Sequence, residues 1–259
     1  MAKLFGAGTN KQGLIVYNGE TSADYGMVIS EAPDFEKPSR KQTTFTVPGR
    51  SGVVLFQEDA WNDVTRKYRV WCPKSDRESL TDVANGLTAW LNSAKGYQRL
   101  EDSFEPDVFR LAYYSGGDDV ENHIMQYGES DLTFTCRPER FLKIGENKIP
   151  IEAGNFNLYN PTKFDAKPLI YLASHHVFGA EMTLTIGGKT LVVGPTSYTT
   201  MIEAFIDCET MNVTRPDGTL ANSSVSGEFL TIPGGQVSCS LTVEGTLDGA
   251  YIIPRYFTI

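Results

Sequence analysis

Two periods of apolar residues run along this chain. From Thr43 to Val47 the period is that of a strand, with Phe45 and Val47 on one face and Thr44 and Thr46 on the other. The next five residues, Pro48-Gly49-Arg50-Ser51-Gly52, predict a tight turn, because Pro presets one turn torsion and Gly supplies the positive φ that other residues resist. Val53-Val54-Leu55-Phe56 predicts a returning strand, followed by an acidic segment from Gln57 to Asp63. Alternation resumes from Arg66 to Cys72, where Tyr68, Val70 and Cys72 face one way and Lys67, Arg69 and Trp71 the other. Upstream, Gly13 to Tyr17 followed by Asn18-Gly19 reads as a strand and turn, and Tyr25 to Ile29 as a second apolar run.

The period lengthens once, between Ser75 and about Lys95. Leu80, Val83, Leu87, Trp90 and Leu91 fall on one face of a helix. Ser75 and Glu78 have capping-box spacing, so each side chain can satisfy an open backbone N–H at the helix start. Gly86 inside this helix costs about 1 kcal/mol relative to Ala, and Gly96 is the expected stop. Strand patterns return at Tyr97–Leu100, Val108–Tyr114 and Ile124–Arg137, the last with Leu132, Phe134 and Cys136 on one face. Ser115 to Asp119 reads as an exposed loop between them.

A composition shift near Arg137-Pro138 and Ile144 to Asn147 predicts two domains, 1–145 and 146–259. Beyond Asn160 the pattern is short strands and turns only. Runs at Leu169–Leu172, Met182–Ile186, Thr190–Val193, Ser197–Ile202 and Ala204–Asp207 are punctuated by Gly187-Gly188 and Pro216-Asp217-Gly218. Such spacing predicts a β-sandwich or barrel.

Composition narrows the function classes. At 259 residues, 41% hydrophobic and 21% charged, the chain is ordinary globular protein, long enough for two cores. It has no apolar run of the roughly 18 residues a membrane span needs, and the opening residues lack the apolar centre of a signal peptide, so folding in the cytoplasm is expected. The formal charge of −9 argues against wrapping DNA, which takes Lys and Arg to displace counterions. It suits solubility, or a surface that DNA slides past.

No constellation of residues points to catalysis. Asp118, Asp119 and Glu121 supply paired carboxylates, but in a glycine-rich loop where a solvated cluster is the simpler reading. His175 and His176 are adjacent on an expected strand and so point to opposite faces, which leaves them unable to share a metal. The third histidine is His123. Gly234-Gly235 lacks the Lys and following helix of a phosphate loop. Cys72, Cys136, Cys208 and Cys239 are far apart and read as buried apolar thiols, with a disulfide left open. No catalytic residue, metal ligand or cofactor is expected.

Several phrases stand in order across residues 14–142: Tyr25-Gly26-Met27-Val28, Pro48-Gly49-Arg50-Ser51-Gly52, Lys67-Tyr68-Arg69-Val70, Ala89-Trp90-Leu91, Tyr97-Gln98-Arg99-Leu100, Phe109-Arg110-Leu111-Ala112-Tyr113, Leu132-Thr133-Phe134 and Cys136-Arg137-Pro138. Together they resemble the N-terminal domain of siphophage distal tail proteins, the hub components of phage tails. The second half resembles the galectin-like domain that such proteins often carry, through Asn160-Pro161-Thr162, Ile206-Asp207-Cys208-Glu209 and Ile232-Pro233-Gly234-Gly235. It lacks the His-x-Asn-x-Arg cluster of galectins and holds none of the three tryptophans, so a docking role is expected rather than sugar binding.

The resemblance implies a mainly β protein: an N-terminal β-sandwich with one α-helix and a projecting hairpin, then a galectin-like β-sandwich. It implies a non-enzymatic virion protein, assembled in the host cytoplasm as a homo-hexameric ring at the distal end of a long non-contractile tail. Its partners would be the tail tube protein, a tail-tip protein and receptor-binding or baseplate proteins, with DNA crossing the lumen unbound and no membrane contact. The turn Pro48, Gly49, Arg50, Ser51 and Gly52 would then meet a neighbouring subunit. The alternative is a carbohydrate-binding module for host cell-wall polysaccharide.

Overall fold

A computed structural model of the chain describes residues 13–34, 37–72, 77–117, 121–123, 127–175, 180–194 and 201–259. The chain divides into two compact units, one of residues 1–140 with Ile259, the other of residues 141–258.

The first unit holds β1 (Ile15–Tyr17), β2 (Glu20–Thr21), β3 (Val28–Ile29), β4 (Arg40–Thr46), β5 (Val53–Trp61), β6 (Val64–Cys72), α1 (Arg77–Leu91), β7 (Gln98–Asp102), β8 (Val108–Gly117), β9 (Glu121–His123) and β10 (Tyr127–Leu142). The last two residues of β10 belong to the second unit. Its main sheet runs β2-β1-β7-β8-β10-β6-β3, with β9 also paired to β10, while β4 and β5 form a separate two-stranded sheet. Alternation decides which residues fill the core. Tyr68 and Val70 of β6, and Leu132, Phe134 and Cys136 of β10, are buried, while Lys67 and Arg69 are exposed.

Helix α1 covers this core with Val83, Leu87, Trp90 and Leu91. Trp90 donates its indole N–H to the Tyr17 carbonyl at 3.0 Å and stacks on Tyr25 at 4.9 Å. Gly86 lies where a Cβ would come within 3.1 Å of the Tyr25 ring, so the glycine makes room for that ring. The helix is shorter at its C-terminus than its sequence predicts. It ends at Leu91, not near Lys95: the Ser93 N–H and Oγ both turn back onto the Trp90 carbonyl, at 3.1 and 2.7 Å, taking the acceptor the next turn would have used. Gly96, with φ +73°, lies beyond it in the connection to β7. Ser75, the expected cap, lies outside the described residues.

The second unit contains β11 (Ile149–Pro150), β12 (Gly154–Asn160), β13 (Leu169–His175), β14 (Met182–Ile186), β15 (Lys189–Val193), β16 (Met201–Asp207), β17 (Asn212–Thr214), β18 (Val225–Gly227), β19 (Gly235–Val243), β20 (Thr246–Ile253) and β21 (Phe257–Thr258). Two five-stranded sheets, β11-β20-β13-β16-β17 and β12-β19-β14-β15-β18, enclose one core. Every registered pair in them is antiparallel. Ile170 and Leu172 from one sheet and Met182, Leu184 and Ile186 from the other are fully buried, as period-two patterns on facing sheets require. The runs expected at Ser197–Ile202 and Ala204–Asp207 differ in the structure: the described part, Met201–Asp207, is one strand.

The chain end closes this unit. The Leu142 N–H donates to the Tyr256 carbonyl at 2.8 Å, and the Arg255 N–H donates to the Gly145 carbonyl at 2.8 Å. Arg255 also grips Asp207 with two nitrogens, at 2.7 and 3.2 Å. Asp207 in turn accepts from the N–H groups of Glu209 and Thr210.

Candidate assembly interface

The hairpin β4–β5 stands out because it has no core of its own. Paired residues share a face, so Phe45 with Val54 and Thr43 with Phe56 mark one face, and Thr44 with Leu55 and Thr46 with Val53 the other. A two-stranded sheet in a globular protein normally buries one apolar face. Here Phe45 is 56% exposed, Phe56 67%, Val53 53% and Leu55 49%, so neither face is covered. An isolated two-stranded hairpin is marginal in water, and so many exposed large apolar side chains in one arm make it a candidate interaction surface.

The tip has the turn the sequence predicts. Arg50 N–H donates to the Val47 carbonyl at 3.2 Å, and Gly49 has φ +80° after Pro48, the arrangement of a type II turn. Gly52 has φ +81°. A Cβ at either glycine would meet nothing within 4 Å, so these glycines serve the turn's torsions and not a close approach within the chain. Pro48, Gly49, Arg50, Ser51 and Gly52 are all exposed.

The root of the hairpin departs from the sequence expectation. The acidic segment from Gln57 continues as strand to Trp61, because Trp61 pairs with Arg40. Between that pair and Gln42–Gln57, the single residue Lys41 faces three: Glu58, Asp59 and Ala60. This three-against-one bulge bends the strand and re-aims its side chains. A cavity of about 390 Å³ opens there, lined by Asp59, Ala60, Trp61, Asp63, Tyr97, Arg137, Pro138 and Glu139. Tyr97 donates its hydroxyl to Asp63 at 2.7 Å, and this bond pushes the Tyr97 phenol up to about 12. Arg137 holds Glu139 with two nitrogens at 3.1 and 3.2 Å. Arg40 pairs with Asp59 at 3.2 Å and lies 4.8 Å over the Trp61 ring.

Behind the root, a buried ionic frame ties the strands together. Arg66 of β6 donates to Asp102 at the end of β7 at 2.9 Å and to Glu105 at 3.3 Å. Tyr68 donates to the same Asp102 oxygen at 2.8 Å. Glu105 also pairs with Arg110 of β8 and Arg140 of β10. Burial alone would raise the Asp102 carboxyl, but the Arg66 guanidinium and the Tyr68 hydroxyl outweigh it and hold it below the usual carboxylate range. The Tyr68 phenol is pushed well up, chiefly by burial.

The other residues weighed for chemistry do not converge. His175 lies on β13, exposed, 2.5 Å from Asp248, while His176 lies outside the described residues. Asp118 and Asp119 also lie outside them; Glu121 and His123 fall on the short strand β9. Cys136, Cys208 and Cys239 are buried thiols, with burial pushing Cys208 up to about 11. Among the described residues, no group of three His, Cys, Asp or Glu is placed to hold a metal. Sequence reasoning missed the bulge and its cavity. The available signal was Trp61 within an acidic run, an aromatic that a solvated loop does not need.

Residues 21–136 match the family model of the phage tail protein RIFT-related domain. The match covers most of the first unit, which is similar to this phage tail domain. The fold of the whole chain is similar to those of two phage proteins of known structure. The SPP1 Dit protein (gp 19.1), described as a paradigm of the hub adsorption apparatus in phages infecting Gram-positive bacteria, superposes with a TM-score of 0.72 over 96% of this chain and 100% of its own, at 14% identity. A chain of the phage P2 baseplate in its activated conformation with Ca gives 0.51 over 93% of this chain and 96% of its own, at 10% identity. The strontium form of that baseplate gives the same values. No curated protein is detectably similar in sequence.

Proposed function

We propose that this chain is a phage tail protein that forms a hexameric ring at the distal end of a long non-contractile tail, joining the tail tube to the tip or baseplate and letting DNA pass. The observation that carries the proposal is the β4–β5 arm, apolar and exposed on both faces. In a ring each arm lies against the next subunit, which covers the apolar faces and supplies the third partner a two-stranded sheet lacks. Residues 1–145 form the ring wall. Residues 146–259, whose paired antiparallel sheets support the galectin-like reading, dock receptor-binding or baseplate proteins. The formal charge of −9 keeps passing DNA from adhering.

Light scattering and negative-stain images of the purified protein test the reading. Six-subunit rings with a central hole are expected. A strict monomer over a wide concentration range, absent also from purified tails, overturns it.

A further inference from the structure

We infer that the cavity at the hairpin root is the seat for the hairpin tip of a second copy of this chain, with that copy's Arg50 as the inserted cation. The inference rests on the ring reading above and adds the place where each arm ends.

The cavity asks for a cation. Three carboxylates, Asp59, Asp63 and Glu139, line it against one guanidinium, Arg137. Arg137 is committed to Glu139, and Asp59 to Arg40. Asp63 accepts only the neutral Tyr97 hydroxyl; among the described residues no cation pairs with it. Its walls are aromatic, Trp61 and Tyr97. Arg40 already lies over Trp61, so the indole face receives a guanidinium in this chain. A volume of about 390 Å³ suits a side chain and a turn of backbone better than a folded domain. The carboxylates do not form a three-ligand metal set, so the fitting cation is one with several directed donors, as a guanidinium has.

The arm carries one such group. From Gln42 to Gln57 the sole charged residue is Arg50, at the tip. Among the described residues it has no side-chain partner. Glycines on both sides leave open space around it, so the tip is narrow enough to enter a cleft. Arg50 cannot reach the cavity of its own chain. The seven residues of β4 hold tip and root apart by about 23 Å at roughly 3.3 Å per residue. A tip-to-root contact between copies is heterologous, and such contacts close into rings when the rotation allows.

The test is a charge exchange in the full-length protein. Arg50→Glu and Asp63→Arg are made singly and together, and association is followed by sedimentation over a concentration series at low and high salt. Each single variant is expected to weaken association about tenfold or more, and the double variant to regain most of it. Arg50→Cys with Asp63→Cys is expected to give a ladder of covalent oligomers on oxidation, which Arg50→Cys alone does not. Tryptophan emission checks folding, and Asp63→Asn, which keeps an acceptor for Tyr97, replaces Asp63→Arg if the latter does not fold. Rings that persist in both single variants, or single variants that the double does not rescue, with no ladder, overturn the seat but leave the ring reading standing. A wild type that never associates overturns both.

Discussion

Asp102 is a buried carboxylate held by several partners in the first unit. It is 2% exposed and receives Arg66, Tyr68 and the backbone N–H groups of Phe104 and Glu105. Removing one partner of a buried pair strands the other charge, at about 3–5 kcal/mol. Asp102→Asn is therefore expected to lower the stability of the first unit by about that amount at neutral pH. Urea unfolding read by tryptophan emission measures it, since Trp61, Trp71 and Trp90 all lie in that unit. The pH dependence has a definite sign. The folded carboxyl lies below its unfolded value, so its stabilisation is complete above about pH 4 and is lost as pH falls through the folded value. The gap between wild type and Asp102→Asn should thus close in acid; a gap that widens would contradict the assignment. Gly86 gives an opposite lesson at the same scale. Helix propensity alone favours Gly86→Ala by about 1 kcal/mol. The Tyr25 ring 3.1 Å from the new methyl consumes that gain, so the expected change is neutral to destabilising in the same unfolding assay.

At the scale of elements, the arm separates folding from assembly. Phe45→Ser with Phe56→Ser removes apolar surface that touches no core, and surface changes of this kind move stability within about 0.5 kcal/mol. The tryptophan-detected unfolding curve should stay in place while rings disappear from light scattering. A large loss of stability would mean the arm packs on its own unit. How far the elements were legible follows from the same physics. The buried faces of β6 and β10 and the covering face of α1 were readable because burial on one side imposes a period. The turn was readable because its Pro and Gly have local torsional reasons. The end of α1 was not, because Ser93 turns back onto the Trp90 carbonyl by bonds that leave no trace in the period. Nor was the continuation of β5 through Glu58 and Asp59, since exposed strand at a bulge has the composition of a loop. The cavity was hidden for that reason, with walls from β5, β10 and the residues just before β6 and β7, brought together only by the fold.

At the scale of the molecule, the two units have separate cores. The first packs around α1, and the second lies between two sheets with Ile170, Leu172, Met182, Leu184 and Ile186 at its centre. The 14% identity to SPP1 Dit over nearly the whole length is consistent with a fold specified by pattern: cores keep burial and period while individual residues change. Separate cores predict separable unfolding. Asp102→Asn should shift the tryptophan-detected transition and leave alone the transition of the second unit. That unit contains no tryptophan but does contain Cys208 and Cys239, whose thiols become reactive only on opening. A reciprocal variant completes the test. Asp207→Asn removes the double-nitrogen grip of Arg255 and the turn that Asp207 caps. The pair is partly solvated, so the loss should be smaller than at Asp102. Burial opposes the Asp207 charge, but the Arg255 bonds prevail and hold its carboxyl low, so this loss too should fade below about pH 4. In a Cys72→Ser, Cys136→Ser background, labelling of Cys208 and Cys239 across a urea series should move with Asp207→Asn and tryptophan emission should not. If both signals moved together in both variants, the two cores would be one cooperative unit, and the arm could no longer be treated as part of a body that folds independently of the second unit.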